Sequence, residues 1–363
     1  MLPALVQDPR VELVAAADPR EEARRRFEQD FKGNAYPSLD KLCSDGSVEA
    51  VYVATPHEMH AEHVKLCARH GKHILVEKPL AITLDECRSM VDAARKAGVQ
   101  LVVGHSHSFD APVLLARKLI DGGEFGAVRM ITAIQFTDFM YRPRRPEELD
   151  TSKGGGVVFS QGAHQVDVVR LLAGSRVKSV RAMARSWDPS RRTEGAYSCF
   201  LEFGSGACAT LAYSGYAHFD SDEFMGWIAE SGHPKDPGAH GAARKALKED
   251  EAELKMRRNF GGADYSPAKI APFHQHFGVV IVSCEKADLR LLPGGVMVYA
   301  DGAQRLEALA APQVHRKEVI DELYGAVVEG RAPLHDGEWA YATMQACLAI
   351  LESSRTGREI LLT

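Results

Sequence analysis

The chain has 363 residues, of which 45% are hydrophobic, 26% charged and 7% aromatic. That length predicts two domains, and the net charge of -5 argues against a basic surface for nucleic acid. No apolar run approaches the roughly 20 residues of a membrane-spanning helix, and the first residues lack the basic start and apolar core of a signal peptide. We therefore expect a soluble globular protein whose partner is a small molecule, with neither nucleic acid nor membrane as a partner.

The seven cysteines are scattered along the chain and form no C-x-x-C pair. An odd, unclustered set is typical of reduced thiols, and not of a disulfide framework or a zinc site. The cysteine usage therefore predicts a cytoplasmic protein.

Residues 1–106 alternate short apolar runs with amphipathic segments. The apolar runs predict strands at residues 11–18, 48–54, 74–76 and 99–103, and the segments between them predict helices at residues 21–31, 60–70 and 84–97. Thr83, with Glu86 three residues later, has the pattern of a capping box at the start of the last of these helices. Strands that alternate with helices of this length indicate βαβ units and a parallel sheet, which we assign to a first domain.

Residues 107–363 change in character and predict a second, α+β domain. A helix at 112–121 and a strand at 127–137 are followed by Gly154-Gly155-Gly156, which opens a helix reaching about residue 172. Closely spaced strands then predict a large, mostly antiparallel open sheet that helices cover on one side; they lie at residues 177–186, 196–203, 207–216, 279–284, 287–291 and 296–299. The polar segment 230–272, with a charge-dense helix at 243–257, is interpreted as an exposed insertion, and helices at 317–328 and 337–356 end the chain.

Two residues stand out as catalytic candidates. Lys78 follows the short strand at 74–76 within Glu77-Lys78-Pro79, and the carboxyl ends of parallel strands are where α/β sheets bind ligands. His164 lies on the helix that follows the glycine triplet, with Asp167 three residues later, and imidazole titrates near neutrality and can take a hydroxyl proton. The alternatives are a solvated lysine at a strand end and a core histidine paired with backbone.

Several motifs in this order are similar to those of one family of enzymes. They are Ala54-Thr55-Pro56-His57-Glu58-Met59-His60, Gly71-Lys72-His73, Glu77-Lys78-Pro79, the glycine triplet leading to His164 and Asp167, Gly330-Arg331-Ala332-Pro333, and the segment at 352–358. Over residues 11–220 and 277–363 the chain resembles the Gfo/Idh/MocA oxidoreductases. The resemblance implies a Rossmann dinucleotide-binding domain at 1–106, a substrate-binding and oligomerisation domain at 107–363, and hydride transfer to NAD or NADP, with NAD favoured.

The same resemblance implies roles for individual residues. It makes Lys78 and His164 catalytic and places a cis peptide before Pro79. Asp18 would bond the adenosine ribose, whereas Arg20 could instead receive the 2′-phosphate of NADP. The cofactor-binding residues that it implies are Asp18, Arg20, Thr55, Pro56, His60, Glu77 and Lys78.

One departure from the family concerns the start of the first domain. Members begin with a strand and a G-x-G-x-x-G turn whose amides hold the pyrophosphate, and no such turn precedes Val11. Residues 2–8 resemble the end of the helix that normally follows this turn. We expect either that the natural chain starts upstream or that a central strand is missing, the first being favoured, and that the 363-residue form binds dinucleotide weakly or not at all.

A second departure concerns the substrate. Polyol and sugar members usually carry an aspartate four residues before the histidine, where this chain has Ser160. Loss of that negative charge favours an anionic substrate, and arginines of the segment 141–146 could contact its carboxylates. The predicted substrate-binding residues are Ser160, Gln161, His105, His107, Arg142 and Arg144.

The histidine pairs raise the question of a metal site. His57, His60 and His63 are spaced by three, and His105 and His107 alternate, but the pattern shows no cysteine or acid that completes a ligand set. We therefore predict no metal.

The expected activity follows from the resemblance and the two departures. The middle of the chain is most similar to members that oxidise a phthalate-type cis-dihydrodiol to a dihydroxyphthalate. A sugar or polyol dehydrogenase of the same family and a non-catalytic, cofactor-free homologue are the alternatives. Because an open sheet needs covering, we also expect a homodimer or homotetramer.

Overall fold

The computed structural model describes residues 1–247, 250–267, 269–314 and 316–362. Residues 1–103 form five short strands and five α-helices in alternation. The strands are β1 (Ala15–Ala17), β2 (Asn34–Tyr36), β3 (Ala50–Val53), β4 (His73–Val76) and β5 (Leu101–Val103). The helices are α1 (Leu2–Gln7), α2 (Glu21–Phe31), α3 (Leu39–Cys43), α4 (His60–Arg69) and α5 (Leu84–Ala97).

Local sequence signals determine the ends of α5 as predicted. The Thr83 hydroxyl accepts the amide proton of Glu86 and the Glu86 side chain returns to the amide of Thr83, which completes the capping box. Gly98 ends the helix in the left-handed conformation, with φ of 68°. Strand β5 is buried throughout and β4 over its last three residues, as expected of parallel strands that are covered on both faces.

The parallel strands form two separate sheets, whereas the sequence pattern predicts one. Strand β1 pairs with β2, and β3, β4 and β5 pair in that order. A cavity of about 630 Å³ lies between the two sheets, lined by residues 10–18 on one side and 47–54 on the other. Within the described residues no strand pairs with the facing edges of β1 and β3. The strand predicted at 11–18 forms only in its last part, as β1.

The second domain is built on nine strands and six helices of the described chain. The strands are β6 (Val128–Phe136), β7 (Val177–Arg185), β8 (Ala196–Phe203), β9 (Cys208–Ser214), β10 (Val279–Cys284), β11 (Ala287–Leu292), β12 (Gly295–Ala300), β13 (Ala303–Ala308) and β14 (Ile360–Leu361). The helices are α6 (Ala111–Asp121), α7 (Ala163–Ala173), α8 (Ala242–Ala246), α9 (Glu251–Arg258), α10 (Lys317–Val327) and α11 (Gly337–Thr356).

These strands form one open sheet in the order β13-β12-β11-β10-β6-β9-β8-β7-β14. All neighbours are antiparallel except β6 and β9, which pair in parallel, so the predicted mostly antiparallel sheet is confirmed. Helix α7 packs on β6, α11 on β7, and α6 on β11 and β12. None of these three α-helices lies on the opposite face of the sheet, and alternate side chains of β8 are exposed there.

The insertion at 230–272 differs from its prediction. Helices α8 and α9 replace the single helix expected at 243–257, and Lys248 and Glu249 between them lie outside the described residues. Phe260 stacks on Phe31 of α2 at 6.0 Å between ring centroids, and its carbonyl accepts a hydrogen bond from Arg20 at 3.0 Å. The insertion therefore packs against the first domain and is not free in solvent. Across the described ranges, no helix combines the length and apolarity that a bilayer span requires.

Candidate functional site

Lys78 lies at the carboxyl end of β4, and its side chain reaches the second domain. The Lys78–Pro79 peptide is cis, as the resemblance implied. Nζ donates a hydrogen bond to the carbonyl of Ser160 at 2.6 Å. Burial lowers the pKa of Lys78 to about 8, although the charges of Glu77 and Glu230 act in the opposite direction. An amine with this pKa can both donate and accept a proton near neutral pH.

His164 is placed by an irregular turn that starts at the glycine triplet. Gly156 has φ of 87°, and a Cβ added there would overlap the carboxylate of Glu194. That carboxylate accepts the amide proton of Val158 at 3.2 Å, and the carbonyl of Glu194 accepts that of Val157 at 3.0 Å. A π-helical turn, Val158–Gly162, then leads into α7, which carries His164. Turns of this kind are frequent at functional sites.

The two catalytic candidates meet at this turn. The carbonyl that holds Lys78 belongs to Ser160, four residues before His164. Burial lowers the pKa of His164 well below its usual range, and the charges of Lys78, His107 and Arg316 lower it further. His164 is therefore a neutral imidazole beside a lysine ammonium. The tertiary structure thus brings together two groups that are 86 positions apart in the sequence.

His105 and His107 belong to a buried cluster next to His164. Asp110 accepts from Nε2 of His105 at 3.2 Å and from Nδ1 of His107 at 2.6 Å, and Glu230 lies 3.3 Å from Nε2 of His107. The ring of His107 is also 4.7 Å from that of His164. Hydrogen bonds occupy both nitrogens of His107, so its ring has no nitrogen left for a substrate.

Opposite charges set the ionisation of this cluster. Burial by itself lowers the pKa of His107, but the charge and hydrogen bond of Asp110 and those of Glu230 raise it to about 9. Burial by itself raises the pKa of Glu230, but the hydrogen bond and charge of His107, with the charge of Arg142, lower it to about 2. At neutral pH the pair is therefore an imidazolium and a carboxylate.

The cluster also bears on the metal question. The sequence pattern showed no acid beside the alternating histidines, but Asp110 lies within ligand distance of both. Two imidazoles and one carboxylate form a set that can bind a metal. Here these atoms are paired with one another at hydrogen-bond distances.

The loop after β3 approaches the site from the first domain. The buried His60 contacts the carbonyl of Thr55 through Nε2, at 3.0 Å, and that of Pro79 through Nδ1, also at 3.0 Å. It therefore ties the Thr55–Pro56 loop to the turn that carries Lys78. Glu77, the neighbour of Lys78, bonds the hydroxyl of Tyr52.

The predicted substrate residues surround the same turn. The Ser160 hydroxyl bonds the Gly156 carbonyl, and Oε1 of Gln161 is buried without a partner. Arg142 is 45% exposed and approaches Asp138 at 3.7 Å, whereas Arg144 lies 3.6 Å above the ring of Phe139. Arg142 also lowers the pKa of Glu230, which places its charge on the site.

Sequence reasoning missed three residues of the site: Asp110, Glu230 and Arg316. Asp110 follows His107 by three positions, a spacing that could have indicated the pair. Glu230 comes from the insertion, and the charge of Arg316, at the start of α10, lowers the pKa of both His105 and His164. Neither of these two has a local signal, because each approaches from a distant part of the chain.

The described residues fit a nicotinamide dinucleotide at two of its parts. Lys78 and Asp18 lie at the carboxyl ends of β4 and β1, the edge where α/β sheets bind ligands. Asp18 is 30% exposed and paired with Arg20 through both carboxylate oxygens, at 3.0 and 2.9 Å. No glycine precedes Gly33, so a glycine-rich turn for the pyrophosphate is not found among these residues.

Comparisons with known proteins match both parts of the chain to sequence families. Residues 1–105 match the sequence model of an oxidoreductase family with an NAD-binding Rossmann fold, and residues 113–228 match that of the GFO/IDH/MocA C-terminal domain. A similar protein is 1-carboxy-3-chloro-3,4-dihydroxycyclohexa-1,5-diene dehydrogenase of Comamonas testosteroni. It is 45% identical over an alignment of 363 positions that covers 98% of this chain and 91% of the relative.

Solved structures show the same similarity. A crystal structure from Bordetella bronchiseptica RB50, assigned as a dehydrogenase, superimposes with a TM-score of 0.93 at 44% identity, covering 100% of this chain and 96% of that one. Aldose-aldose oxidoreductase of Caulobacter crescentus superimposes with a TM-score of 0.75 at 21% identity, covering 99% and 94%. The second similarity concerns the fold alone.

The glycine that precedes the π-helical turn gives a direct test of this geometry. We expect Gly156→Ala to destabilise the protein more than Gly71→Ala. Both positions have positive φ, which costs a side chain about 1 kcal/mol, but only at Gly156 would the added methyl meet Glu194, whereas nothing lies within 4 Å of it at Gly71. Overlap in a packed site adds about 1–3 kcal/mol. Urea unfolding of both variants measures the difference, and equal losses would contradict the proposed role of Gly156.

Proposed function

Because the chain belongs to the Gfo/Idh/MocA family of oxidoreductases, we propose that it is a dehydrogenase that oxidises a secondary hydroxyl of a carboxylated cyclic diol. The observation that carries the proposal is the 2.6 Å hydrogen bond from Lys78 to the carbonyl of Ser160, which brings an amine of lowered pKa next to a neutral histidine. Oxidation of an alcohol needs groups of this kind, because the hydroxyl proton must leave as the carbon–oxygen double bond forms.

The residues of the chain supply proton handling and positioning. A bound nicotinamide dinucleotide supplies the hydride acceptor. Lys78 and His164 contact the reacting oxygen. The neutral amine of Lys78 takes its proton, and the ammonium that forms stabilises the charge that develops on this oxygen. Gln161 has a buried, unpartnered Oε1, which is an acceptor for a second hydroxyl of the substrate.

The substrate class is inferred from charge and from the relative. The Comamonas testosteroni relative acts on a ring that bears one carboxyl and two hydroxyl groups, as its name states. In this chain Ser160 occupies the position where sugar-oxidising members carry a carboxylate, so that negative charge is missing from the pocket. Arg142 contributes a partly exposed positive charge. An anionic cis-diol such as a phthalate-type dihydrodiol, whose oxidised product tautomerises to a catechol, fits both features.

The cofactor is proposed to be NAD in preference to NADP. Arg20 is the basic residue nearest in sequence to Asp18, the carboxylate proposed to bind the ribose. Its side chain is paired with Asp18 and also donates to the carbonyl of Phe260. A 2′-phosphate would have to break these contacts and would face the carboxylate of Asp18. The seven free cysteines support the reducing cytoplasm as the compartment.

The open face of the nine-stranded sheet is proposed to bind a second copy of the chain. Phe200, Ile281 and Leu306 are exposed by 47%, 36% and 48%. The strand register places them in one row across the sheet, in which the positions between them are Thr210, Thr132, Arg290 and Met297. Met130, 46% exposed, extends the patch beside this row. Apolar patches of this kind mark interaction sites, and two equivalent faces can cover each other about a two-fold axis.

Replacement of Lys78 tests the proposed activity. We expect Lys78→Met to lower turnover of a carboxylated cyclic dihydrodiol by about 10² or more, and Lys72→Met, which loses only bonds to the carbonyls of Asp45 and Val48, to change it little. Since the neutral amine accepts the proton and the pKa of Lys78 is about 8, the rate of the unaltered protein should rise with pH through about 8.

The measurement is NADH formation at NAD concentrations raised until the rate saturates, because a weak cofactor complex is expected. No turnover by the unaltered chain when NAD is bound would overturn the proposed activity, and a near-normal rate for Lys78→Met would remove Lys78 from it.

Replacement of Arg142 tests the charge of the substrate. We expect Arg142→Met to lower kcat/KM for a carboxylated diol by roughly 10- to 100-fold, the worth of a hydrogen bond to a charged group, and to leave an uncharged cyclic diol unaffected. Arg145→Met, in the same segment but facing Glu148, is the matched control. Equal losses for charged and uncharged diols, or a preference of the unaltered chain for neutral sugars, would contradict an anionic substrate.

Light scattering tests the proposed dimer interface. We expect the unaltered chain to be at least a dimer, and Ile281→Asp combined with Phe200→Asp to yield monomers, because a carboxylate on this face cannot be buried unpaired. Met256→Asp, at an exposed position of α9, is the control that should keep the assembly. A monomeric unaltered chain would refute the interface.

A further inference from the structure

A chain of hydrogen bonds behind His164 takes no direct part in the reaction proposed above. Glu230, His107, Asp110 and His105 follow one another at 3.3, 2.6 and 3.2 Å. His105, His107 and Asp110 are at most 5% exposed. Buried polar groups of this kind are arranged by their partners and not by water, so each ring in the chain has one defined orientation.

The protons in this chain can be assigned from its partners. His107 lies between two carboxylates, so both of its nitrogens donate and the ring is an imidazolium. Nε2 of His105 donates to the other oxygen of Asp110. Asp110 therefore accepts one hydrogen bond on each oxygen, and it holds the two histidines on either side of Ser106 in place.

The series of hydrogen bonds reaches His164 through the backbone of His107. The amide N–H of His107 donates to Nδ1 of His164 at 3.4 Å. His164 is neutral, because burial and the charges of Lys78 and His107 lower its pKa, and a neutral imidazole carries one proton. When Nδ1 accepts, that proton is on Nε2, which has no hydrogen-bond partner within the described chain and is not sealed from solvent.

We propose that Asp110 is a positioning residue: by holding His105 and His107 it sets the His107 amide on Nδ1 of His164 and so fixes the His164 tautomer whose proton is on Nε2. This inference rests on the proposed dehydrogenase activity for its meaning in catalysis, but the tautomer itself exists independently of turnover. His164 is thereby a hydrogen-bond donor to the reacting oxygen.

The assignment divides the chemistry between the two catalytic candidates. In the oxidation, the carbon loses hydride to the nicotinamide dinucleotide, the O–H proton passes to the neutral amine of Lys78, and a carbon–oxygen double bond forms. His164 donates its Nε2 proton to the oxygen as a hydrogen bond and keeps it. The charges that act on Lys78 are those of Glu77 on its own turn, Glu230 of the insertion, Arg316 of α10 and Arg144. The charge of Lys78 in turn lowers the pKa of His57 and of His164.

One neighbouring group offers a different explanation for the same nitrogen. The Ser106 hydroxyl lies 3.5 Å from Nδ1 of His164. A hydroxyl can donate or accept, so it adapts to either tautomer and selects neither, whereas an amide N–H can only donate. The two explanations differ in which substitution changes the tautomer.

The tautomer can be measured directly by NMR. Two-bond proton–nitrogen correlation spectra of the chain with ring-labelled histidines distinguish the two neutral tautomers, and His164→Gln assigns the signal among the 15 histidines. At about pH 7 we expect the unaltered chain to carry the His164 proton on Nε2. A proton on Nδ1 in the unaltered chain would overturn the proposal whatever any variant does.

Substitutions then identify the residue responsible. We expect Asp110→Asn to give a mixture of His164 tautomers, and Ser106→Ala to leave the Nε2 proton in place. Glu322→Gln, which disturbs another buried histidine–carboxylate pair, that of His335, is the matched control and should have no effect. An unchanged tautomer in Asp110→Asn, or a changed one in Ser106→Ala, would refute the role of Asp110.

Kinetics separate this inference from the proposed function. With the carboxylated diol and NAD, Asp110→Asn should lower kcat by roughly 10-fold, because part of the molecules lose the Nε2 donor, while KM for NAD stays unchanged. Equal changes in both constants would indicate a structural effect and oppose the proposal. If the protein shows no turnover but the His164 tautomer still depends on Asp110, the dehydrogenase activity is refuted and the positioning role stands.

Discussion

The hydrogen bond from Lys78 to the carbonyl of Ser160 joins the two halves of the site. It extends from the end of a parallel strand in the first domain to the π-helical turn of the second. A lysine in this position loses part of its hydration, and the carbonyl replaces it while keeping the amine next to His164. Because the carbonyl belongs to the turn that leads into α7, the geometry of Gly156, Glu194 and the turn determines where the amine lies.

Charge pairing explains why so many ionisable groups can be buried around this contact. A charged side chain taken out of water needs a partner of opposite sign or shifts its pKa. His107 has two carboxylate partners and stays protonated, while Lys78 and His164 lack a hydrogen-bonded carboxylate and shift towards their neutral forms. The same electrostatic rule thus produces one fixed cation, one amine suited to proton transfer and one neutral imidazole, within one cluster of side chains.

The first domain combines family features with one clear difference in its sheet. Asp18 and Lys78 lie at the carboxyl ends of β1 and β4, the edge where α/β sheets bind ligands, whereas a cavity separates the sheet pieces that contain them. The backbone edges of β1 and β3 that face this cavity have no strand partner among the described residues. The contact between Lys78 and the π-helical turn nevertheless forms, because it depends on β4 and on the turn that leads into α7, and not on a strand that would fill the cavity.

Local patterns were enough to predict most helices and strands, but not α3, β2 or β14. These patterns involve neighbours within a few residues, as in the capping box at Thr83, the alternation of β8 and the apolar run of β4. The two catalytic candidates were likewise recognised from short motifs. Strand β13 was not predicted, because its mostly exposed, polar sequence becomes a strand only by pairing with β12. The division of the parallel sheet is likewise a property of strand pairing, which a hydrophobic period does not contain.

The sequence by itself determined the fold class and the family, and it indicated Lys78 and His164 as the catalytic candidates. Only the tertiary structure decided how these groups ionise, because it buries them and because Glu230, His107 and Arg316, which come from separate segments, act on them through space. Electrostatic interactions in a poorly hydrated interior depend on distances of a few ångströms, and such distances are established only when the two domains pack together.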